Sequence, residues 1–373
     1  MSRYTSTDTP RRIAFVIPSL APYGSQMVLR DLVIQAQKWD ECLVICIDPL
    51  SSPAIALPDG LEVVSLGRQR TGFAGLAGAT VKLAWLLRQN KIDAVLSFLP
   101  YANNCAVLAN LIAVKPATVV VTEHSTPNVE RKTQSLIESL SRRLYPHAQS
   151  AVAVSRSVAT SVSRAYHLPP QWMQVINNPV DLAGIRSRAV TSHSAPAHPW
   201  LAETSERPVL ISVGRLMPPK GQDITLRALA EPSLSGVRAL FLGDGPSKDE
   251  LIALAASLEV SDRVDFLGYQ SNPHPFVAGA SALVHATRRE GFGLVLVEAA
   301  ALGVPVVATD VDAVPELIPA LVPGRMVPVD DHCALAEAVR AVLQDPPAVA
   351  DEASLACLSL PSVWARYREL LVR

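Results

Sequence analysis

Residues 282 to 309 read ALVHATRREGFGLVLVEAAALGVPVVAT. Ala282 to Ala286 is an apolar run of strand length, and Thr287 to Gly293 is a polar, glycine-containing break. Leu294 to Leu302 is helix-like and stopped by Gly303, and Val304 to Ala308 is a second apolar run. Strand, loop, helix, strand with fully apolar strands is the repeating unit of a parallel sheet covered on both faces.

Two glutamates punctuate the stretch, Glu290 in the loop and Glu298 in the helix, with seven residues between them. At ~1.5 Å rise per residue, Glu298 lies about one turn into a helix opening at Leu294. Both carboxylates then reach one ligand lying across the helix N-terminus. The N–H groups there suit an anion, and Gly291 and Gly293 let the backbone approach closely. A loop carboxylate repels phosphate, so Glu290 is expected to face hydroxyls. The stretch reads as a site for a ligand carrying both sugar hydroxyls and phosphate. The plainer alternative, a loop cap and a solvated helix residue, suits either glutamate alone better than the pair around Gly-Phe-Gly.

Upstream, the same alternation runs from Val209: strand Val209 to Val213, loop Gly214 to Gly221, helix Asp223 to Leu229, strand Ala239 to Gly243, helix Lys248 to Leu258, strand Val264 to Leu267. Gly214-Arg215 and Lys220-Gly221 put two cations in one loop at a strand's C-terminal end, beside a helix N-terminus, where they would neutralise a diphosphate. Gly243-Asp244-Gly245 lacks the third glycine of a dinucleotide fingerprint. Asp223, Asp244, Asp265 and Asp310 form no D-x-D pair, so no metal is expected at the reaction centre. Downstream, Asp310 to Ile318 enters a short helix, Ala334 to Leu343 is amphipathic, and Val363 to Leu370 has Trp364, Tyr367 and Leu370 on one face.

The first half shows the same pattern more loosely. Strands are expected at Ile13 to Ile17, Leu43 to Ile47, Glu62 to Leu66, Ala94 to Phe98, Thr118 to Thr122 and Ala151 to Val154. Helices are expected at Gln26 to Ala36, Ala79 to Gln89, Tyr101 to Leu111 and Lys132 to Leu144. Ligands of such sheets collect at strand C-terminal ends. Gly24, after the first strand, is either a turn glycine or a close approach to phosphate or sugar. His124, after Thr118 to Thr122, is a candidate functional histidine. The region 131–164 carries Arg131, Lys132, Arg142, Arg143, Arg156 and Arg164 against the single acid Glu138. That excess reads either as solvated helix faces or as a patch for an anionic acceptor or a membrane surface. Ser187 to Pro208 loses apolar periodicity and is rich in Ser, Ala, His and Pro, which puts a domain boundary at about 180 to 205.

Composition narrows the classes. At 373 residues the chain exceeds one ordinary core, so two domains are expected. A net charge of −1 and 5% aromatic residues exclude general attraction to nucleic acid and base-stacking platforms. The five cysteines form no C-x-x-C pair and have no histidine at metal-ligand spacing, which fits a reducing cytoplasm. The N-terminal apolar run before Pro18 is too short for a signal peptide, and no apolar run approaches a membrane span. A cytoplasmic protein is expected, peripheral at the inner membrane face if the basic region meets lipid.

These residues resemble glycosyltransferase family 4, whose members are retaining and nucleotide-sugar dependent. The resemblance is carried by GRLMPPKG, LFLGDGP, DRVDFLGY and EGFGLVLVEAAALGVPVVAT, whose Glu290 and Glu298 look like the family's E-x7-E pair. AVAVSRSV at Ala151 and INNPVD at Ile176 are also similar. The resemblance implies an α/β GT-B fold: two facing Rossmann-like domains with parallel sheets and a C-terminal helix crossing back to the first domain. It divides the chain into an acceptor-binding domain 1–185, a linker 186–208, a nucleotide-sugar-binding domain 209–355 and a terminal helix 356–373.

Carried over residue by residue, the resemblance implies that Arg215 and Lys220 hold the donor diphosphate and Glu298 the nucleotide ribose. Glu290 contacts the transferred sugar, assisted by backbone around Gly291, Phe292, Gly293 and Leu294, with Gly214, Gly245 and Tyr269 also lining the donor site. His124 lies near the anomeric carbon and Gly24 at the phosphate end. His124, Arg215, Lys220 and Glu290 are the implied catalytic set. The partners are a nucleoside-diphosphate sugar and a hydroxyl acceptor, lipid-linked if the basic patch serves it, with no cofactor and no metal. There are two departures. The first loop reads Tyr23-Gly24-Ser25-Gln26 where the family often has a double glycine and an acid. The later loop reads Asp312-Ala313-Val314 where it often has Gly-Gly before Pro-Glu. Alternatives are a hydrolase or epimerase of nucleotide sugars, or a non-catalytic binding subunit; a dehydrogenase is disfavoured by the missing G-x-G-x-x-G.

Overall fold

The computed structural model describes residues 10–50, 54–67, 72–113, 116–127, 132–190, 198–202 and 207–372. The chain divides into two compact units, Met1–Pro179 with Leu360–Arg373, and Val180–Ser359.

The first unit runs β1 (Arg12–Ile17), α1 (Gly24–Ala36), β2 (Glu41–Cys46), β3 (Glu62–Ser65), α2 (Gly72–Gln89), β4 (Ala94–Phe98), α3 (Pro100–Leu111), β5 (Thr118–Glu123), α4 (Lys132–Leu144), β6 (Ser150–Ala153), α5 (Arg156–Tyr166) and β7 (Met173–Val175). Its seven strands are parallel, in the order β3-β2-β1-β4-β5-β6-β7. Ile13 to Ile17 are wholly buried, as a central parallel strand covered on both faces requires. The terminal helix Leu360–Leu371 belongs to this unit and buries Val363, Trp364, Tyr367, Leu370 and Leu371. Trp364 stacks on Phe15 of β1 at 6.1 Å between ring centroids. Arg368 donates from Nε to Asp40 Oδ2 at 3.1 Å, a buried ion pair whose Oδ1 also accepts the Arg11 N–H at 3.1 Å.

The second unit runs α6 (Leu182–Ala189), β8 (Val209–Val213), α7 (Gln222–Leu229), β9 (Arg238–Leu242), α8 (Lys248–Ser257), β10 (Val264–Gly268), α9 (His274–Ala278), β11 (Ala282–His285), α10 (Leu294–Ala301), β12 (Val306–Thr309), α11 (Val314–Leu317), β13 (Gly324–Val327), α12 (His332–Gln344) and α13 (Glu352–Leu355). The terminal helix is therefore α14. Six parallel strands follow the order β10-β9-β8-β11-β12-β13. The chain winds outward from β8 to β10 and then returns to lay β11 against β8. Doubly wound sheets open a ligand crevice at such a reversal, outside the strands' C-terminal ends. In the first unit the reversal lies between β1 and β4.

The division falls between Pro179 and Val180, earlier than a first domain ending at 185 followed by a linker over 186–208. Helix α6 packs against α9 and α10, and Arg186 donates to the Ala301 carbonyl at 3.2 Å. Further on, His198 bonds Asp265 of β10 at 3.2 Å, and the Arg238 guanidinium lies 4.9 Å from the Trp200 ring centre. These parts of the low-periodicity stretch are docked segments of the second unit; residues 191–197 and 203–206 lie outside the described residues. Helix α2 begins at Gly72, ahead of the expected Ala79. Its first turns contain Gly75 and Gly78, which hide helical propensity, and its packing against α3 compensates. Strands β7 and β13 are short edges without an apolar run and have no counterpart in the sequence reading. Among the described residues no helix is long and apolar enough to cross a membrane.

Candidate active site

The loops leaving β8 and β11 meet at the reversal of the second sheet. The first contains Gly214, Arg215 and Lys220; the second runs from Ala286 to Gly293. Gly221 shows how tightly they pack. Its φ is +66°, and a Cβ there would sit 1.8 Å from the Ala286 carbonyl oxygen, so only glycine fits. The Arg288 N–H and the Thr287 hydroxyl both donate to the Pro219 carbonyl, at 2.8 and 3.0 Å. Arg288 clasps Asp223 of α7 with two guanidinium nitrogens at 2.9 and 2.7 Å, and its Nε reaches Asp330 at 2.6 Å. The two loops are thereby joined at backbone and side-chain level.

Inside this clasp lies Glu290. Its Oε2 accepts from Lys220 Nζ at 2.8 Å and from His285 Nε2 at 2.7 Å. Burial alone would raise this carboxyl, but the Lys220 charge and the His285 hydrogen bond outweigh it and hold Glu290 well below the usual carboxylate range. Both donors serve one oxygen, so Oε1 has no partner among the described residues. The backbone of Glu290 is fixed as well, its N–H donating to Asp312 Oδ2 at 2.9 Å. Asp312 has φ +48°, so the loop that departs from the family's glycines still takes a conformation glycine favours, and uses its carboxylate to hold Glu290.

Gly293, with φ +92°, turns the chain into α10, and no side chain caps that helix. Its first N–H groups follow directly after Glu290 to Phe292, with Phe292 buried beneath. Glu298 lies in α10, half-buried. Gly245 adjoins the first loop, because Leu216 N–H donates to the Asp244 carbonyl at 3.0 Å and Ser247 N–H to the Leu216 carbonyl at 3.1 Å. Tyr269 follows β10 and is exposed. All the expected donor-site residues except Gly24 and His124 thus lie at the C-terminal edge of the second sheet, where Lys220 bonds Glu290 directly. The sequence reading missed His285, Arg288, Asp223 and Asp312. Of these, Asp223 was noted only as a scattered acid and Asp312 only in the loop that departs from the family pattern.

The remaining two lie in the first unit. Gly24 opens α1 after β1, exposed, and His124 follows β5. Thr122 donates its hydroxyl to the Ser97 carbonyl at 2.8 Å, so it accepts from His124 Nε2 at 3.0 Å. The proton therefore sits on Nε2, and the Nδ1 lone pair is shielded with no partner among the described residues. The ring stacks on Phe98 at 5.3 Å, and desolvation pushes its pKa down to about 3. Next to it, burial pushes Glu123 up to about 8, against the opposing hydrogen bonds of Tyr145 and Asn103. Of the basic region, Arg142, Arg143, Arg156 and Arg164 are exposed; Arg142 and Arg143 complement the C-terminal end of α4 and Arg164 that of α5. Arg131 and the side chain of Lys132 lie outside the described residues.

Two family profiles match the chain, "Glycosyltransferase Family 4" over residues 23–183 and "Glycosyl transferases group 1" over residues 197–354. The chain is 28% identical over 278 residues to N-acetylgalactosamine-N,N'-diacetylbacillosaminyl-diphospho-undecaprenol 4-alpha-N-acetylgalactosaminyltransferase of Campylobacter jejuni, covering 73% of each chain. It is 26% identical to alpha-D-kanosaminyltransferase of Streptomyces kanamyceticus, covering 79% of each. Among solved structures, HepE of Anabaena in complex with UDP and glucose superposes with a TM-score of 0.80 at 23% identity, over 97% of this chain and 99% of that one. With both sheets, the doubly wound order and the E-x7-E loop in place, the chain belongs to the GT-B glycosyltransferases of family 4.

Proposed function

We propose that the protein transfers a sugar from a nucleoside-diphosphate sugar to a hydroxyl of a lipid-linked acceptor, with retention at the anomeric carbon and without a metal. The observation that carries this reading is the Lys220–Glu290–His285 cluster at the β8/β11 crevice, with Glu290 Oε1 lacking a partner among the described residues. A departing nucleoside diphosphate gathers negative charge. Lys220, Arg215 and the N–H groups of α10 are the groups suited to stabilise it, which leaves no step that needs a cation from outside. Glu290 Oε1 accepts from hydroxyls of the transferred sugar, and Glu298 accepts from the ribose.

Two relatives carry alpha linkages in their names, which from an α-configured nucleotide sugar means retention. One acts on a diphospho-undecaprenol substrate, a lipid-linked acceptor, which supports assembly of a surface glycan or glycolipid at a membrane face. The exposed arginines of α4 and α5 suit such an anionic surface. The neighbour bound to UDP and glucose makes UDP the first base to test.

The test is a thermal-shift panel of UDP, GDP and ADP sugars, followed by product analysis with and without a polyprenyl-diphosphate sugar. One nucleotide family should raise Tm, since a ligand that binds only the folded state stabilises it. A product of inverted configuration, or free sugar formed equally with and without acceptor, would overturn the proposal.

A further inference from the structure

Away from the Lys220–Glu290 cluster, three side chains of different ligand chemistry converge on one point. Glu231 follows the C-terminal end of α7, and His332 and Cys333 open α12. One carboxylate oxygen, Glu231 Oε1, lies 3.3 Å from His332 Nε2 and 3.7 Å from Cys333 Sγ. His332 Nε2 and Cys333 Sγ are 3.6 Å apart. Zinc binds carboxylate oxygen, imidazole nitrogen and thiolate sulfur tetrahedrally at ~2.0–2.3 Å, so one face of its coordination shell has edges of about 3.4 to 3.6 Å. The triangle of Oε1, Nε2 and Sγ reproduces that face to within about 0.1 Å.

The charges agree as well. One thiolate, one carboxylate and one neutral imidazole sum to −2, which a divalent cation cancels. Asp331 and Glu337 add negative charge nearby. The backbone on both sides is held by the core. Asp331 caps α12 by accepting the Ala334 N–H at 2.9 Å, and Leu229, Leu234, Leu335, Ala336 and Val339 belong to one buried cluster. The donors are partly solvent-exposed, which leaves a fourth position for water. Sequence spacing conceals the set: His332 and Cys333 are adjacent, and Glu231 lies far upstream. The fold therefore brings together a histidine, a cysteine and a glutamate that sequence spacing does not single out.

We infer that Glu231, His332 and Cys333 form a zinc site that ties the end of α7 to the start of α12. Binding forms a Zn–S bond and releases the thiol proton to solvent. The site is structural and takes no part in glycosyl transfer.

The test uses the full chain without any affinity tag. Titration with Co2+ should give one equivalent of bound ion, tetrahedral d–d bands and a sulfur-to-cobalt charge-transfer band, all displaced by Zn2+. Cys42, Cys46 and Cys105 are part-buried or buried, so Cys357 is the other exposed thiol. Cys333→Ser should abolish the charge-transfer band, Cys357→Ser should retain it, and His332→Ala or Glu231→Gln should weaken Zn2+ binding by on the order of tenfold or more. Zn2+ should raise the Tm of the wild type and not that of Cys333→Ser. A wild type without the band, or a band that survives Cys333→Ser, would overturn the assignment. Circular dichroism of each variant checks that it has folded.

Discussion

Lys220 and Glu290 stand 70 residues apart in sequence, yet their charged groups are 2.8 Å apart, and the ammonium shares its carboxylate oxygen with His285. The cation assigned to the diphosphate and the anion assigned to the sugar are thus one unit before substrate arrives. Lys220 is held in place by Glu290, which limits the reorganisation needed when negative charge develops.

Lys220→Ala should lower turnover by about two orders of magnitude or more, the scale for losing a preorganised charge partner, and Arg215→Ala should do likewise. Steady-state kinetics on the identified donor checks this. Wild-type-like turnover in either variant would remove the diphosphate assignment.

Acid stability reports on the same pair. The folded-state pKa of Glu290 is held below its unfolded value of ~4.3, so its contribution is fully present above that pH and is lost as pH falls through the folded value. Urea midpoints for wild type and Glu290→Gln should differ by a constant amount from neutrality to about pH 5 and converge in stronger acid. A difference that does not shrink in acid would contradict the paired carboxylate.

Glu123 behaves in the opposite sense. Its folded pKa is pushed up to about 8, so the folded state keeps a proton that the unfolded chain gives up near ~4.3, and stability falls as pH rises between the two. Glu123→Gln mimics the protonated form. Its Tm relative to wild type should climb from pH 5 to pH 8, and parallel Tm profiles would show that Glu123 is ionised.

Asp40 and Arg368 test the attachment of the last helix. Arg368→Ala leaves a buried carboxylate without its guanidinium and should cost about 3–5 kcal/mol in chemical denaturation. A cost below about 1 kcal/mol would mean the pair behaves as a surface bridge.

Excess EDTA should leave turnover nearly unchanged, because Arg215, Lys220 and the α10 N-terminus are proposed to carry the charge stabilisation. Complete loss restored by Mg2+ or Mn2+ would contradict that mechanism. Loss of zinc from the Glu231 site should appear in Tm alone.

The alternating apolar runs disclosed most strands, because parallel strands buried on both faces must be apolar throughout; Val209 to Val213 and Ala94 to Phe98 are examples. Two of the four edge strands escaped, since Gly324 to Val327 and Met173 to Val175 are short, lack an apolar run and draw their identity from a neighbouring strand. In the site, Glu290 and Glu298 were legible because their spacing is local. The bonds from His285 and Lys220 were not: the former is a strand-end residue indistinguishable from core, and the latter depends on β8 and β11 becoming neighbours. His198 to Trp200 reads as linker because it is poor in periodicity, yet a few specific contacts anchor it to the second unit.

The first unit takes its final cover from the far end of the chain. Phe15 packs on Trp364, and Asp40 is neutralised by Arg368, so β1 emerges from the ribosome long before its partners exist. Domains usually complete in order of synthesis. Here the amino-terminal sheet keeps one face of β1 and a buried aspartate uncovered until Leu360–Leu371 has been made. Changes within Leu360–Leu371 would therefore be felt first in the maturation of the N-terminal half.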